Sequence, residues 1–288
     1  MPQLSNSHLF LAVHLKGAEL ASITRQSDQT EYLWQADPTY WGRHAPVLFP
    51  IVGRLKNDTY QAQGRSFSMK QHGLARNKMF VLSDSGENHL QFTLESDEET
   101  LAQYPYPFKL HITYTLRGNE VEVAYRVENM GTESMPFSIG AHPAFNCPIA
   151  HDESFTDYYL QFEQKEDRPR HLLSDGLYTG ETEPLLEDQD IIPLTDELFA
   201  KDALVLHQPE SRWVALKSKQ SERAVRISLT GFPYLGLWTK PGAPFVCLEP
   251  WQGLADYENH SGDIKEKAGI IILMPGQTHQ ASYTMTFE

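Results

Sequence analysis

The sequence has few cysteines and no long apolar run. The 288 residues include only 2 cysteines, Cys147 and Cys247, and they form no CxxC or Cys/His zinc spacing. No apolar stretch approaches the roughly 20 residues of a membrane helix, and the first residues lack the basic and apolar regions of a signal peptide. We therefore expect a reduced cytoplasmic protein that needs no metal to fold.

Positive charge is also scarce. The chain carries 38 acidic and 24 basic side chains, for a formal net charge of −14. This balance argues against nucleic acid or an anionic membrane as a partner, because both attract a basic face. Four basic residues lie close together in sequence and predict a local exception, a small positive pocket formed by Arg54, Lys56, Arg76 and Lys78.

Several catalytic signatures are absent. The chain has no Walker A sequence, no G-x-G-x-x-G, no G-x-S-x-G and no H-E-x-x-H. Nucleotide and dinucleotide cofactors, a serine nucleophile elbow and a zinc-protease helix therefore have no support. We expect no cofactor and no catalytic metal.

Helical signals are sparse. The sequence Ser-Asp-Glu-Glu at 96–99 fits a capping box with Ser96 as N-cap, and it predicts a short helix that continues through Gln103. Pro105 and Pro107 follow and would end it.

Alternation of apolar and polar residues with a period of two is the dominant pattern. It runs through 90–94 and 110–116 and resumes at 121–127 after the turn residues Gly118 and Asn119, which predicts a hairpin with one buried face. Five further segments are rich in β-branched or aromatic residues and predict strands at 158–162, 213–217, 224–229, 269–273 and 281–287. With 18 glycines and 18 prolines available for turns, the pattern indicates one all-β domain over 1–288. We interpret the acidic stretch 181–190 as a solvated loop.

Two segments place a basic or titratable side chain beside glycine. Arg54 ends the apolar, Pro/Gly-kinked segment 48–54, where a charge needs a partner or a cleft. Its planar fork suits sugar hydroxyls or a carboxylate, and a structural acid is the equally simple partner. His72 precedes Gly73, a weak signal that by itself favours a surface-loop histidine.

Two further segments bear on proton transfer. His142 lies between small residues and Pro143, and histidine titrates near neutrality; a structural core histidine is the competing interpretation. Glu249 ends an apolar strand and precedes Pro250 and Trp251, where burial would raise its pKa towards that of a useful base. An ion pair of Glu249 with Arg54 or Arg76 is the alternative.

Taken in order, these motifs resemble the aldose 1-epimerase (mutarotase) family, in particular its LacX-like branch. The motifs are Phe-Pro-x-x-Gly-Arg at 49–54, His-Gly-x-x-Arg at 72–76, His-Pro-x-Phe at 142–145 and Leu-Glu-Pro-Trp at 248–251. Each motif is weak alone, and the ordered set spans nearly the whole chain. The resemblance implies a galactose mutarotase-like supersandwich: a large two-layer antiparallel β-sandwich with few short helices and an open cleft across one face.

The resemblance also implies a reaction, the metal-free interconversion of the α and β anomers of an aldose through ring opening. It assigns the general base to Glu249 and the general acid to His142. It implies that the sugar is bound by five further residues: Arg54, His72, Arg76, Asp202 and Trp251.

Two alternatives stay open at this level. A hexose-6-phosphate 1-epimerase would use the same acid–base pair, with Arg54, Arg76 and Lys78 as a phosphate clamp. A non-catalytic carbohydrate-binding protein would bind sugar without accelerating anomer exchange. A glycoside hydrolase would need a second carboxylate opposite Glu249, and none pairs convincingly with it. The sequence fits a monomer or a homodimer, and it does not name the sugar.

Overall fold

Short strands make up most of the molecule. The computed structural model describes residues 1–288 and is about 51% strand and 6% helix, which confirms the all-β prediction. The strands are β1 Gln3–Ser5, β2 Leu9–Val13, β3 Leu20–Arg25, β4 Val47–Leu48, β5 Thr59–Ala62, β6 Arg65–Ser68, β7 Val81–Ser85, β8 His89–Glu95, β9 Phe108–Arg117, β10 Glu120–Asn129, β11 Met135–Phe137, β12 Ile139–Ala141, β13 Ala144–Asn146, β14 Tyr158–Ser174, β15 Leu177–Pro193, β16 Leu204–His207, β17 Trp213–Ser218, β18 Ala224–Ser228, β19 Tyr234–Trp238, β20 Phe245–Gln252, β21 Ile271–Leu273 and β22 Thr278–Phe287.

One large antiparallel sheet of 15 strands forms the frame. Its order is β4-β12-β20-β19-β16-β14-β17-β18-β22-β10-β9-β8-β7, with β13 also on β20 and β15 also on β14. Strands far apart in this order meet across the interior: the rings of Phe145 on β13 and Phe287 on β22 are 6.4 Å apart. The sheet therefore closes over itself as two layers around a core of 65 buried residues, as the resemblance implied.

The hairpin predicted from alternation is confirmed. β9 and β10 pair in unbroken register from Phe108 opposite Asn129 to Arg117 opposite Glu120, with Gly118 and Asn119 as the two-residue turn. Their apolar side chains are buried on one face because a pleated strand turns alternate residues to opposite sides. The predicted strand at 281–287 is also present and begins earlier, at Thr278.

A long hairpin corrects two predictions. The strand expected at 158–162 continues to Ser174, and the acidic stretch 181–190 is not a loop but part of β15, which pairs with β14. Most side chains of 181–190 are exposed, so this part of β15 has no apolar alternation from which a strand could be recognised. The tip of this hairpin, Asp175-Gly176, reaches the cleft described below.

The helices are few and short, as expected. The α-helix Glu98–Gln103 is present, but its N-cap is Asp97 and not Ser96: Asp97 Oδ1 accepts the N–H of Thr100, and Thr100 Oγ1 accepts the N–H of Asp97. The Ser96 hydroxyl instead accepts the N–H of Phe108. Single 3₁₀ turns occupy Lys56–Asp58, Ala75–Asn77, Phe155–Asp157 and Ile264–Glu266. None of these helices has the length and apolar composition needed to cross a bilayer.

Candidate active site

A cleft of about 550 Å³ gathers the residues that the motifs singled out. All seven predicted site residues line it, although they come from five separated parts of the chain. Its 18 lining residues are Trp41, Gly53, Arg54, Gln71, His72, Arg76, His142, Leu173, Asp175, Gly176, Tyr178, Asp202, Ala203, Val205, Trp238, Glu249, Trp251 and Ala255.

His142 and Glu249 face each other because of how the central strands pair. His142 lies between β12 and β13, and both of these short strands pair with β20, which carries Glu249. The His142 Nε2 atom is 3.3 Å from Glu249 Oε2. Neither Glu249 Oε2 nor His142 Nδ1 has a hydrogen-bond partner, although both side chains are buried. The alternative in which Glu249 pairs with an arginine is therefore not what the structure shows.

Burial dominates the electrostatics of this pair. It lowers the pKa of His142 to about 3, and the positive charge of Arg76 acts in the same direction. Burial raises the pKa of Glu249 well above its ordinary value; the Trp251 indole opposes this shift, and the negative charge of Asp202 reinforces it. Burial of the pair therefore favours a shared proton on the carboxyl group and a neutral imidazole.

Three tryptophans frame the pair. Trp41 stacks on the His142 ring at a centroid distance of 4.7 Å, and Trp238 meets the same ring edge-on at 5.9 Å. Trp251 lies flat against two glycines: a Cβ on Gly236 would be 2.5 Å from its ring, and one on Gly140 would be 2.7 Å away. Trp238 belongs to none of the four motifs and was not predicted as a site residue.

His72 is a buried residue, not the surface-loop histidine that His-Gly alone favoured. It has a positive φ of 66°, and the N–H of Gly53 donates to its Nδ1 over 3.2 Å. Gly73 must be glycine here, because a Cβ would lie 2.2 Å from the carbonyl oxygen of Phe49. This close approach brings the His72 ring to 5.4 Å from that of His142.

Arg54 has two carboxylate partners. Its Nε donates to Asp58 over 3.3 Å, and its Nη1 lies 2.8 Å from Asp175 Oδ1 and donates to the Asp175 carbonyl oxygen. Arg54 thus lines the cleft and also satisfies the simpler expectation of an acidic partner. Asp175 was missed because it lies at the tip of the hairpin, between the unpredicted end of β14 and the unpredicted strand β15.

The predicted positive pocket does not form. Arg76 lines the cleft and donates from Nη2 to the Gln71 carbonyl oxygen, but Lys78 pairs with Glu99 and Lys56 lies by the His260 carbonyl oxygen. Neither lysine lines the cleft, so the three-residue phosphate clamp loses Lys78. Closeness in sequence was misleading here: Arg76, inside the 3₁₀ turn Ala75–Asn77, lines the cleft, whereas Lys78, which follows the turn, pairs with Glu99.

Asp202 also lines the cleft. It is exposed, has a positive φ of 75°, and its Oδ1 accepts the N–H of Ala203. Its negative charge contributes to the raised pKa of Glu249, which lines the same cleft.

One grouping of side chains has donor atoms suited to a metal. His142, Cys247 and Glu249 each offer a ligand atom, and these atoms lie within 4.8 Å of one another. Burial raises the pKa of the Cys247 thiol well above its ordinary value. Because a metal binds the thiolate, this shift opposes cation binding there.

Comparison with known proteins places this architecture. The chain is 35% identical to a solved "galactose mutarotase related enzyme" from Lactobacillus acidophilus, with a TM-score of 0.95 over 100% of this chain and 97% of the other. A galactose mutarotase-like protein from Lactobacillus casei gives 32% identity and a TM-score of 0.94 over 100% of both chains. The curated protein LacX (chromosomal) of Lactococcus lactis subsp. lactis is 38% identical over 294 residues, which cover 99% of this chain and 98% of LacX.

The fold and the cleft therefore define a galactose mutarotase-like β-sandwich protein. The family model for aldose 1-epimerase matches residues 3–286. The chain belongs to the aldose 1-epimerase family, and this membership supports an isomerase that acts on carbohydrates.

Proposed function

We propose that this protein interconverts the α and β anomers of an aldose by opening and closing the sugar ring, with Glu249 as general base and His142 as general acid. The observation that carries the proposal is the 3.3 Å approach of His142 Nε2 to Glu249 Oε2 in the cleft. The two groups are complementary, and Oε2 still has no hydrogen-bond partner with which to meet a substrate hydroxyl. Family membership supports the same reaction class.

The reaction needs two coordinated proton transfers. Glu249 as carboxylate takes the proton of the C1 hydroxyl while His142 as imidazolium gives one to the ring oxygen; the bond between C1 and the ring oxygen breaks, and the C1 carbonyl forms. The C1–C2 bond then rotates in the open aldehyde. Ring closure on the other carbonyl face returns each proton to its starting group, so the enzyme is unchanged.

Burial of His142 and Glu249 favours the ring-opened stage of this cycle. After ring opening the proton resides on Glu249 and His142 is neutral, which is the arrangement that burial of the two side chains favours. The charged arrangement, with Glu249 as carboxylate and His142 as imidazolium, is stabilised by hydrogen bonds from the sugar only while the ring is closed. The site therefore stabilises the proton arrangement that accompanies the open-chain intermediate.

Five further lining residues would bind and orient the sugar. Arg54, His72, Arg76 and Asp202 offer donors and acceptors for ring hydroxyls, and Trp251 offers an apolar face for the C–H side of the ring. Arg54 and Arg76 both line the cleft, and this is the observation that favours the alternative function, a hexose-6-phosphate 1-epimerase.

An anomer-exchange assay tests the proposal. NMR exchange or polarimetry should show that the protein accelerates the mutarotation of freshly dissolved α-D-galactose or α-D-glucose above the buffer rate. Glu249→Gln and His142→Asn should each lower kcat by at least about 10²-fold. His8→Asn changes an exposed histidine and is the matched control. Sugar binding without any acceleration by the unaltered protein would instead support a carbohydrate-binding protein.

A further inference from the structure

The tip of the β14–β15 hairpin carries a carboxylate into the cleft, where nothing in the reaction calls for one. Asp175 and Gly176 both line the cleft, and the side chain of Asp175 is 84% exposed. Its Oδ1 lies 2.8 Å from Arg54 Nη1. Building on the proposed function, we propose that Asp175 is a specificity residue: it neutralises Arg54 and so makes the cleft select uncharged aldoses over sugars that carry a phosphate or carboxylate.

The hydrogen bonds of Arg54 show which part of it is left for a ligand. Nε is bound to Asp58, and Nη1 is bound to Asp175 through both its carboxylate and its carbonyl oxygen. Only Nη2 makes no hydrogen bond. A single nitrogen can donate to a hydroxyl, but it cannot form the two parallel bonds with which a free guanidinium binds phosphate.

The charged side chains that line the cleft also support the selection of uncharged sugars. Two arginines line it, Arg54 and Arg76, and two aspartates balance them, Asp175 and Asp202. His142 and Glu249 share one proton and add no net charge. Asp58 also touches Arg54, but its other oxygen pairs with exposed Lys70. Asp175 is therefore the carboxylate whose ion-pair partner is Arg54 alone, and its removal would leave the arginine able to attract an anion.

The negative charge of Asp175 can be removed without disturbing the turn in which this residue lies. Asp175 has a φ of 49° and Gly176 one of 74°, so both are left-handed, a conformation that asparagine adopts as readily as aspartate. In Asp175→Asn the carbonyl oxygen still accepts from Arg54 Nη1, which keeps the guanidinium in place. The variant thus alters charge with little change of shape.

The hairpin supplies a matched control. Asp188 on β15 also has a positive φ, of 55°, and an exposed side chain, and its ion-pair partner is Lys165. It does not line the cleft. Asp188→Asn therefore removes the same charge from the same hairpin without altering Arg54.

The test measures binding of D-galactose and D-galactose 6-phosphate by calorimetry to the unaltered protein and to both variants, beside anomer exchange of each sugar. Asp175→Asn should strengthen 6-phosphate binding at least about fivefold at low salt, because the phosphate carries close to two charges near the freed arginine. Binding and exchange of galactose should change less than about threefold. Asp188→Asn should change neither. The gain should shrink as salt is raised.

Two results would overturn the proposal: equal effects of the two substitutions, or tighter binding of the 6-phosphate than of galactose by the unaltered protein. Failure of the unaltered protein to exchange the anomers of any sugar would refute the proposed reaction. It would leave the binding comparison intact as the test of Asp175.

Discussion

The imidazole of His142 and the carboxyl group of Glu249 are 3.3 Å apart in the cleft, and both side chains are buried. They meet because β12 and β13, which flank His142, both pair with β20, which carries Glu249. In the proposed reaction the pair works with one proton between its two members. With no proton it lacks an acid, and with two it lacks a base. Burial of the two side chains sets the lower and upper pH limits of the range in which the pair carries one proton.

The first prediction concerns the pH dependence of kcat/KM. On acidification the pair gains its second proton when His142 is protonated, and burial lowers that pKa from 6.5 to about 3. On alkalinisation it loses its only proton from Glu249, whose pKa is raised well above 4.5. We expect a bell-shaped profile whose acid limb lies well below pH 6.5, measured by anomer exchange in buffers of constant ionic strength. An acid limb centred near 6.5 would contradict the buried pair.

Thermal unfolding followed at each pH is the control for that profile. A limb that coincides with loss of structure reports unfolding and not titration of the pair. The pH profile of kcat/KM for Glu249→Gln should show no alkaline limb from residue 249, because glutamine does not titrate.

Sequence reasoning succeeded where a local pattern carries the information. Alternation revealed the β9–β10 hairpin because each strand has one buried and one exposed face. It failed for β15, whose acidic segment is largely exposed and so resembles a loop. Burial on one side creates the pattern, and a strand without such burial leaves none.

The same contrast holds for the cleft. Six of its seven predicted residues lie in the four motifs, where glycine or proline stands close to each reactive side chain. The seventh, Asp202, was predicted from the family resemblance alone. Trp238 and Asp175 were missed because ordinary strand and turn geometry brings them to the cleft. The Arg54–Asp175 contact joins residues 121 positions apart, a separation that only the pairing of the sheet determines.

The second prediction concerns the two cysteines. Cys147 and Cys247 are free thiols with no exposed surface, and burial raises the pKa of both. A disulfide-exchange reagent should therefore react negligibly with the native protein and titrate two thiols after unfolding, since the thiolate is the reactive form. Rapid reaction of either thiol in the native protein would contradict the burial of both cysteines.

The third prediction concerns the packing of Trp251. In Gly236→Ala the new Cβ would lie 2.5 Å from the indole, so the ring must move from its position in the cleft wall. We expect a loss of about 1–3 kcal/mol in the free energy of unfolding and a rise in KM for the sugar. Gly42→Ala is the control, because its Cβ would meet nothing nearer than 3.9 Å. Equal effects of the two substitutions would mean that Trp251 is not held by Gly236.

The fourth prediction concerns the buried ion pair behind the Arg54 segment. Lys267 Nζ lies 2.9 Å from Asp256 Oδ1, and neither side chain is more than 1% exposed. The other oxygen, Oδ2, accepts the N–H of Lys56, and the N–H of Asp256 donates to the Arg54 carbonyl oxygen. Lys267→Met leaves a buried carboxylate without its counter-charge and should cost about 3–5 kcal/mol in denaturant unfolding. Lys70→Met removes an exposed partner of Asp58 and should cost less than about 1 kcal/mol; if the two variants lose equal stability, the buried pair is not what holds this segment.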